Sequence, residues 1–93
     1  MEEKPGVSRT LSTQLLRSGT SIGANVEEAR AGQSKADFIH KNNIALKEAR
    51  ETHYWLRLLA ATEIISKDKL ISLLQEADEL QRILAAIIVR CKN

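Results

Sequence analysis

Two long amphipathic segments, joined by a short break rich in glycine and serine, occupy residues 14–59 and constrain the fold more than any other feature. The first segment reads QLLRSGTSIGANVEEA, and the second includes IALKEARETHYWLRLL. Apolar side chains recur in steps of three and four in both, which is the spacing of one face of an α-helix. Because the link between them is short, the two helices are expected to pack as antiparallel neighbours.

The same periodicity predicts three long helices, at residues 9–30, 35–60 and 67–91. No segment shows the alternation of apolar and polar residues that is typical of a strand. At 93 residues the chain is short enough for a single domain. We therefore predict an all-α, up-and-down antiparallel helical bundle that forms one domain over residues 1–93.

Serine, threonine and glycine residues predict where the helices begin and end. The residues before Ser8 are expected to be a frayed lead-in, with Ser8 or Thr10 capping the first helix. Gly32 is expected to end that helix in the left-handed conformation. Ser34 and Ser66 are expected to cap the second and third helices, because a serine hydroxyl can accept a hydrogen bond from a free backbone N–H.

The bulk composition limits the classes of protein to which the chain can belong. A 10.4 kDa chain has a small core, which favours association with a partner or with itself. The net charge of +2 and the pI near 8.9 are mildly basic. Cys91 is the single cysteine, which excludes an intrachain disulfide, and no apolar run is long enough for a membrane helix. These features predict a cytoplasmic protein.

Two stretches, QLLRSGTSIGANVEEA at residues 14–29 and DFIHKNNIALKEARETHYWLRLL at residues 37–59, strongly resemble bacterial four-helix-bundle proteins encoded in 23S ribosomal RNA intervening sequences. The resemblance implies an up-and-down bundle that is usually assembled as a homopentamer. It also extends to a related branch, the accessory proteins of diversity-generating retroelements, which bind nucleic acid and a reverse transcriptase. Most members of the family have no established biochemical activity.

The chain departs from that family pattern in two places. Members usually carry another long helix before the segment that begins at Gln14, whereas only residues 1–13 precede it here. We therefore expect three long helices, with the usual first helix missing or very short. Either the chain is a truncated relative with three helices, or an upstream segment was lost. The loop after the second helix commonly contains a glycine, but residues 61–64 contain none.

Small and polar residues interrupt the apolar face of the first helix. Gly19 and Gly23 each disfavour a helix by about 1 kcal/mol relative to alanine, so a compensating contact is expected. We predict that a neighbouring helix packs closely over Gly19, while close approach to a partner or a phosphate is the alternative. Ser18 and Asn25 are expected to bond helix carbonyls and to hold the packing register.

No constellation predicts catalysis or a cofactor. A catalytic serine needs a base within reach, and both histidines, His40 and His53, lie on a different helix from Ser18. Asp37 and His40 share a helix face, but a di-metal bundle needs two such motifs and further carboxylates. We expect a capping role for Asp37 and a core position for His53, with no catalytic, cofactor or metal site.

Basic residues are the positive indication of a ligand. Arginine and lysine side chains on shared or adjacent helix faces can contact phosphates without reading bases. The candidate nucleic-acid set is Arg17, Arg30, Lys35, Arg50 and Arg57.

Self-association is the other function that the pattern favours. Apolar side chains outside the main stripe of the second helix would be left in water by a lone subunit, and acidic residues beside them could pair with an arginine of another subunit. The candidate interface residues are Ile44, Glu48, Glu51 and Trp55. We expect a non-enzymatic homo-oligomer, a pentamer before a dimer, that binds RNA or DNA. The alternative is a structural scaffold whose partner is another protein.

Overall fold

The computed structural model describes residues 5–32, 34–63 and 65–92, and within these ranges the chain consists of helices and short connections without strands. The three helices are α1 (Pro5–Ala31), α2 (Lys35–Thr62) and α3 (Lys67–Lys92). The predicted all-α class and the three long helices are confirmed. All predicted helix ends except the first fall within two residues of the observed ones.

Helix α1 begins earlier than the sequence pattern predicted. Pro5 is its first residue. Proline suits this position, because the first N–H of a helix has no intrahelical partner and the fixed φ of proline is a helical one. Ser8 and Thr10 lie inside the helix, so the predicted cap at either residue is wrong. The predicted lead-in is wrong for residues 5–7, and its residues 1–4 lie outside the described residues.

The junction of α1 with α2 is built around one glycine and one serine. The Gly32 N–H donates to the Ala29 carbonyl over 3.2 Å, and no described glycine has a positive φ, so the predicted left-handed Gly32 is wrong. A Cβ atom there would lie 3.1 Å from the Ala29 carbonyl oxygen. The close approach of this carbonyl therefore explains why the residue is glycine. Ser34 is the predicted cap of α2, and its hydroxyl accepts from the Asp37 N–H over 3.1 Å.

The junction of α2 with α3 turns without a glycine. Glu63 takes the left-handed conformation, with φ of 57°, and its N–H donates to the Ala60 carbonyl over 3.2 Å. This is the position where many helices place glycine. Ser66 immediately precedes α3, at the position predicted for its cap, and its carbonyl accepts from the Leu70 N–H. Capping by the Ser66 hydroxyl stays a prediction.

Helix α2 lies between the other two helices. The first part of α2 contacts the ends of both neighbours, since Lys41 pairs with Glu28 of α1 and Leu46 clusters with Ile88 of α3, so consecutive helices are antiparallel. Within the described residues, no Cα of α1 lies within 8 Å of a Cα of α3. The molecule measures 51 × 22 × 13 Å along its principal axes, so its smallest dimension is close to the diameter of one helix.

Two clusters of buried apolar residues hold this layer together. Ala45 and Ala49 of α2 are fully buried, and their small side chains allow close helix packing. The first cluster joins all three helices and comprises Ile22, Ala45, Leu46, Ala49, Leu84 and Ile88. The second joins α2 to α3 through Leu56, Leu70 and Ala77. Leu15 of α1 and the half-buried Leu73 and Leu74 of α3 pack against it.

An apolar groove lies between α1 and α3, with α2 as its floor. It encloses about 540 Å³ and is open along one side. Leu16, Gly19 and Ile22 line it from α1, and Ala77 and Leu80 line it from α3. Within the described residues, no atom lies within 4 Å of the place where a Gly19 Cβ would be, apart from its two chain neighbours and the helix's own backbone. The predicted close packing over Gly19 is therefore wrong within one chain, because α3 lies beyond the groove.

Candidate nucleic-acid and self-association surfaces

The exposed side of α2 carries a row of cations around one aromatic ring. Lys47, Arg50, Tyr54 and Arg57 follow one another in steps of three and four, and all four are exposed. We call these four residues the α2 cationic face. Within the described part of the chain, no carboxylate oxygen lies within 4 Å of its lysine or arginine nitrogens. These charges are therefore available to an anionic ligand.

Two of these four residues were predicted from the sequence. Arg50 and Arg57 belong to the predicted nucleic-acid set, whereas Lys47 and Tyr54 were missed. Their spacing from Arg50, three residues before and four after, was already visible in the sequence and places them on the same helix face.

Arg17 is already engaged inside the chain. Its guanidinium bonds the Glu48 carboxylate over 3.2 Å and also pairs with Glu51, so it links α1 to α2. Both glutamates are less exposed than Arg17 itself. Because its donors are directed at these two carboxylates, Arg17 is less available to a phosphate than the residues of the α2 cationic face.

Arg30 and Lys35 lie at another part of the molecule. Arg30 is in the last turn of α1 and Lys35 is the first residue of α2, so both are at the α1–α2 junction. Fifteen residues of helix separate Lys35 from Arg50, which corresponds to roughly 22 Å along the axis. The five predicted cations therefore do not form one patch.

The aromatic ring at the centre of the α2 cationic face is held by a chain of contacts. Tyr54 meets Trp55 edge to face, with ring centroids 5.2 Å apart. The Trp55 indole N–H donates to the Glu51 carboxylate over 3.2 Å, and Glu51 pairs with Arg17. The Arg57 guanidinium carbon lies 5.8 Å from the Tyr54 ring centroid, which is a cation–π distance.

The predicted interface residues lie on a different face of α2, where Glu48 and Glu51 meet Arg17 of α1. Ile44 and Trp55 are half-buried, and the carboxylates of Glu48 and Glu51 have partners within their own chain. Their role in an interface between subunits stays a prediction. The more exposed apolar surface lies elsewhere: Leu16 is 69% exposed and Leu80 is 40% exposed at the groove between α1 and α3.

The remaining polar clusters have structural explanations. His53 is half-buried, and its Nε2 lies 3.2 Å from a carboxylate oxygen of Asp78 across the α2–α3 interface. Among the described residues, no three histidine, cysteine, aspartate or glutamate side chains are placed to hold a metal ion together. None of the described helices is long and apolar enough to span a membrane.

Comparisons with known proteins give a matching family and similar solved structures. The model of the family described as 23S rRNA-intervening sequence protein matches residues 4–86. A protein of unknown function from Bacteroides thetaiotaomicron, described as from the S23 ribosomal protein family, is 55% identical in sequence. That match covers 84% of this chain and 72% of the other, with a TM-score of 0.81. The search of curated proteins found no match.

Proposed function

Because the chain belongs to the family of 23S rRNA-intervening sequence proteins, a family with no established activity, we propose its function from its surfaces. We propose that it is a non-enzymatic, self-associating cytoplasmic protein that binds RNA or DNA through backbone phosphates. The observation that carries the proposal is the α2 cationic face, where three cations lie in a row without a carboxylate partner among the described residues.

The distribution of ion pairs supports the choice of this face over Arg17 and Lys41. Cations that join helices have acidic partners: Arg17 pairs with Glu48 and Glu51, and Lys41 pairs with Glu28 over 3.1 Å. The cations of the α2 cationic face join nothing within the described chain. A row of this kind suits a polyanion, whose successive charges release counterions when several cations neutralise them together.

The exposed surface area supports self-association. A compact monomer of this mass exposes roughly 5,400 Å², whereas this chain exposes 6514 Å². The excess of roughly 1,100 Å² is comparable to the area that one partner buries in a stable interface, about 800 Å². We propose that a second copy covers the groove between α1 and α3. The family resemblance makes a pentamer the first expectation and a dimer the second.

A scaffold that holds another protein is the second candidate function, and the groove favours it. The groove is lined mainly by leucine, isoleucine and alanine, with Leu16 largely exposed at its edge. Such a surface is suited to the apolar side of a helix. A client protein would have to compete with self-association for the groove.

Anisotropy titrations with labelled RNA and DNA strands test the nucleic-acid proposal. A strand length of about 16 nucleotides is chosen because it is the upper end of the usual site size of a single-strand-binding domain. Wild-type binding should weaken steeply as salt rises. Replacing Arg50 and Arg57 by glutamine should weaken binding to all sequences alike. The slope of log K against log salt should flatten by about 0.7–0.9 for each lost contact.

A matched control removes the same charge elsewhere. Arg82 and Arg90 are exposed on α3, so the double variant Arg82→Gln/Arg90→Gln carries the same net charge as the test variant. It should bind nearly as the wild type does. Equal losses in both double variants would reject the α2 cationic face, and absence of wild-type binding at low salt would reject the nucleic-acid proposal and leave the scaffold. Light scattering on each variant excludes a change of oligomer.

A further inference from the structure

We infer that Tyr54 is a base-stacking platform and that the α2 cationic face therefore binds single-stranded nucleic acid in preference to duplex. This inference rests on the proposed function and specifies its ligand. It starts from the placement of an exposed tyrosine between cations: Arg50 lies one turn before Tyr54, and Arg57 lies one turn after it.

Tyr54 exposes 47% of its surface. A tyrosine that served only to pack against a small core would not need this exposure. A stacked base covers ring surface, and base–aromatic stacking works with every base because each has a π-face. In a duplex those faces are covered by neighbouring base pairs. An exposed aromatic ring between phosphate-binding cations is therefore of use to a single strand and of little use to a duplex.

The ring is held in position before any ligand arrives. Trp55 contacts it edge to face, Glu51 accepts a hydrogen bond from the Trp55 indole, and Arg17 pairs with Glu51. This series of contacts ties the orientation of Tyr54 to helix α1. A ring fixed in this way loses little conformational freedom on binding, which strengthens binding without any additional contact.

Arg57 connects the two parts of the site. Its guanidinium lies 5.8 Å from the centre of the Tyr54 ring. A planar guanidinium can stack on an aromatic face or bond a phosphate through two donors. A base on Tyr54 would therefore have its own phosphate close to Arg57, with Arg50 and Lys47 following in successive turns for the neighbouring phosphates.

Three ligands of equal length test the inference on the full chain: a single-stranded oligonucleotide, the corresponding duplex, and an abasic strand with the same phosphates but no bases. The wild type should bind the single strand more tightly than the other two at the same salt. Tyr54→Leu should raise the Kd for the single strand by roughly 5- to 150-fold for each stacked base. It should leave the Kd for the abasic strand unchanged.

Tyr54→Phe is the matched control, because it keeps the ring and removes the hydroxyl. It should bind the single strand as the wild type does. Trp55, the one tryptophan, supplies a second measurement, since a base stacked on the adjoining Tyr54 should quench its fluorescence and an abasic strand should not. Circular dichroism checks that each variant is folded.

The outcomes separate this inference from the proposal on which it rests. Equal binding of all three ligands, with no effect of Tyr54→Leu, would overturn the stacking role and leave phosphate binding intact. Equal losses in Tyr54→Phe and Tyr54→Leu would also overturn it, because the hydroxyl would then be the important group. If none of the ligands binds at low salt, the proposed function fails as well.

Discussion

Single polar residues explain how α1 and α2 keep one register. Ser18 is completely buried in an otherwise apolar stripe, and it receives a hydrogen bond from the Thr52 hydroxyl over 2.8 Å. Ser18 in turn lies 3.4 Å from the Leu15 carbonyl, to which its hydroxyl donates. A shift of α1 along α2 would break the first contact and leave a buried hydroxyl with fewer partners, which disfavours other registers.

Thr52→Val removes the inter-helix donor but keeps the shape of the side chain. We expect the free energy of unfolding to fall by about 1–3 kcal/mol, because the buried Ser18 hydroxyl loses a partner. The double variant Ser18→Ala/Thr52→Val should lose less than the sum of the two single variants, since it leaves neither hydroxyl at the contact. Urea denaturation measures both.

Thr20→Val is the matched control for that series. Thr20 is exposed, and its hydroxyl bonds the Leu16 carbonyl of its own helix over 2.7 Å. Its replacement should change the free energy of unfolding by no more than about 0.5 kcal/mol. Additive effects in the Ser18 and Thr52 variants would contradict a direct coupling between these hydroxyls.

At the scale of the elements, the two helix junctions differ in where glycine and the positive φ occur. The junction after α1 uses a glycine without a positive φ, because a side chain at Gly32 would press on the Ala29 carbonyl. The junction after α2 has a positive φ but places Glu63 there, with its Cβ in the unfavourable left-handed conformation. A helix end is therefore not determined by glycine alone.

Replacing Glu63 by glycine should stabilise the fold. Glycine removes a strain of about 1–2 kcal/mol, and the greater freedom of glycine in the unfolded chain offsets about 0.5–1 kcal/mol of this. The net gain in the free energy of unfolding should be about 0.5–1 kcal/mol by urea denaturation. Glu63→Ala keeps the strain while it removes the charge, so it should give no such gain. Equal effects of the two variants would show that charge, and not backbone conformation, is responsible.

At the scale of the whole molecule, three helices form a layer with two different sides. One side carries the α2 cationic face, and the other carries the groove between α1 and α3. The radius of gyration is 15.2 Å, compared with roughly 12 Å for a compact domain of this length. This open shape leaves a groove that a helix from another subunit can cover.

Gly19→Leu tests whether a second copy covers the groove. Light scattering at tens of micromolar should give a wild-type mass above that of a monomer, and the leucine should shift it toward the monomer by filling the groove. Among the described residues, no atom outside its own helix backbone and chain neighbours lies within 4 Å of a Cβ added at Gly19. The variant monomer should therefore not lose stability and should gain up to about 1 kcal/mol in helix propensity.

Ala24→Leu is the control for this experiment, because Ala24 is exposed and lies on a different face of α1 from Gly19. It should leave the oligomer mass unchanged. A monomeric wild type would contradict self-association, and an unchanged mass in Gly19→Leu would place the interface away from the groove.

The sequence by itself determined the three helices and their antiparallel order. The spacing of apolar residues and the short links are local features, so they predict the helices without knowledge of which helices pack together. The same is true of the Ser34 cap and of the face shared by Arg50 and Arg57, which follow from positions within one helix.

Tertiary structure decided which residues make contacts between helices of the chain and which remain open to solvent. The periodicity of α1 put Gly19 near the apolar stripe, but only the separation of α1 from α3 made that position open. Arg17 resembled Arg50 in sequence, yet packing of α1 on α2 brought Glu48 and Glu51 within its reach. These outcomes depend on distances between helices, and such distances are set by the packing of side chains distant in the sequence, which a local pattern does not contain.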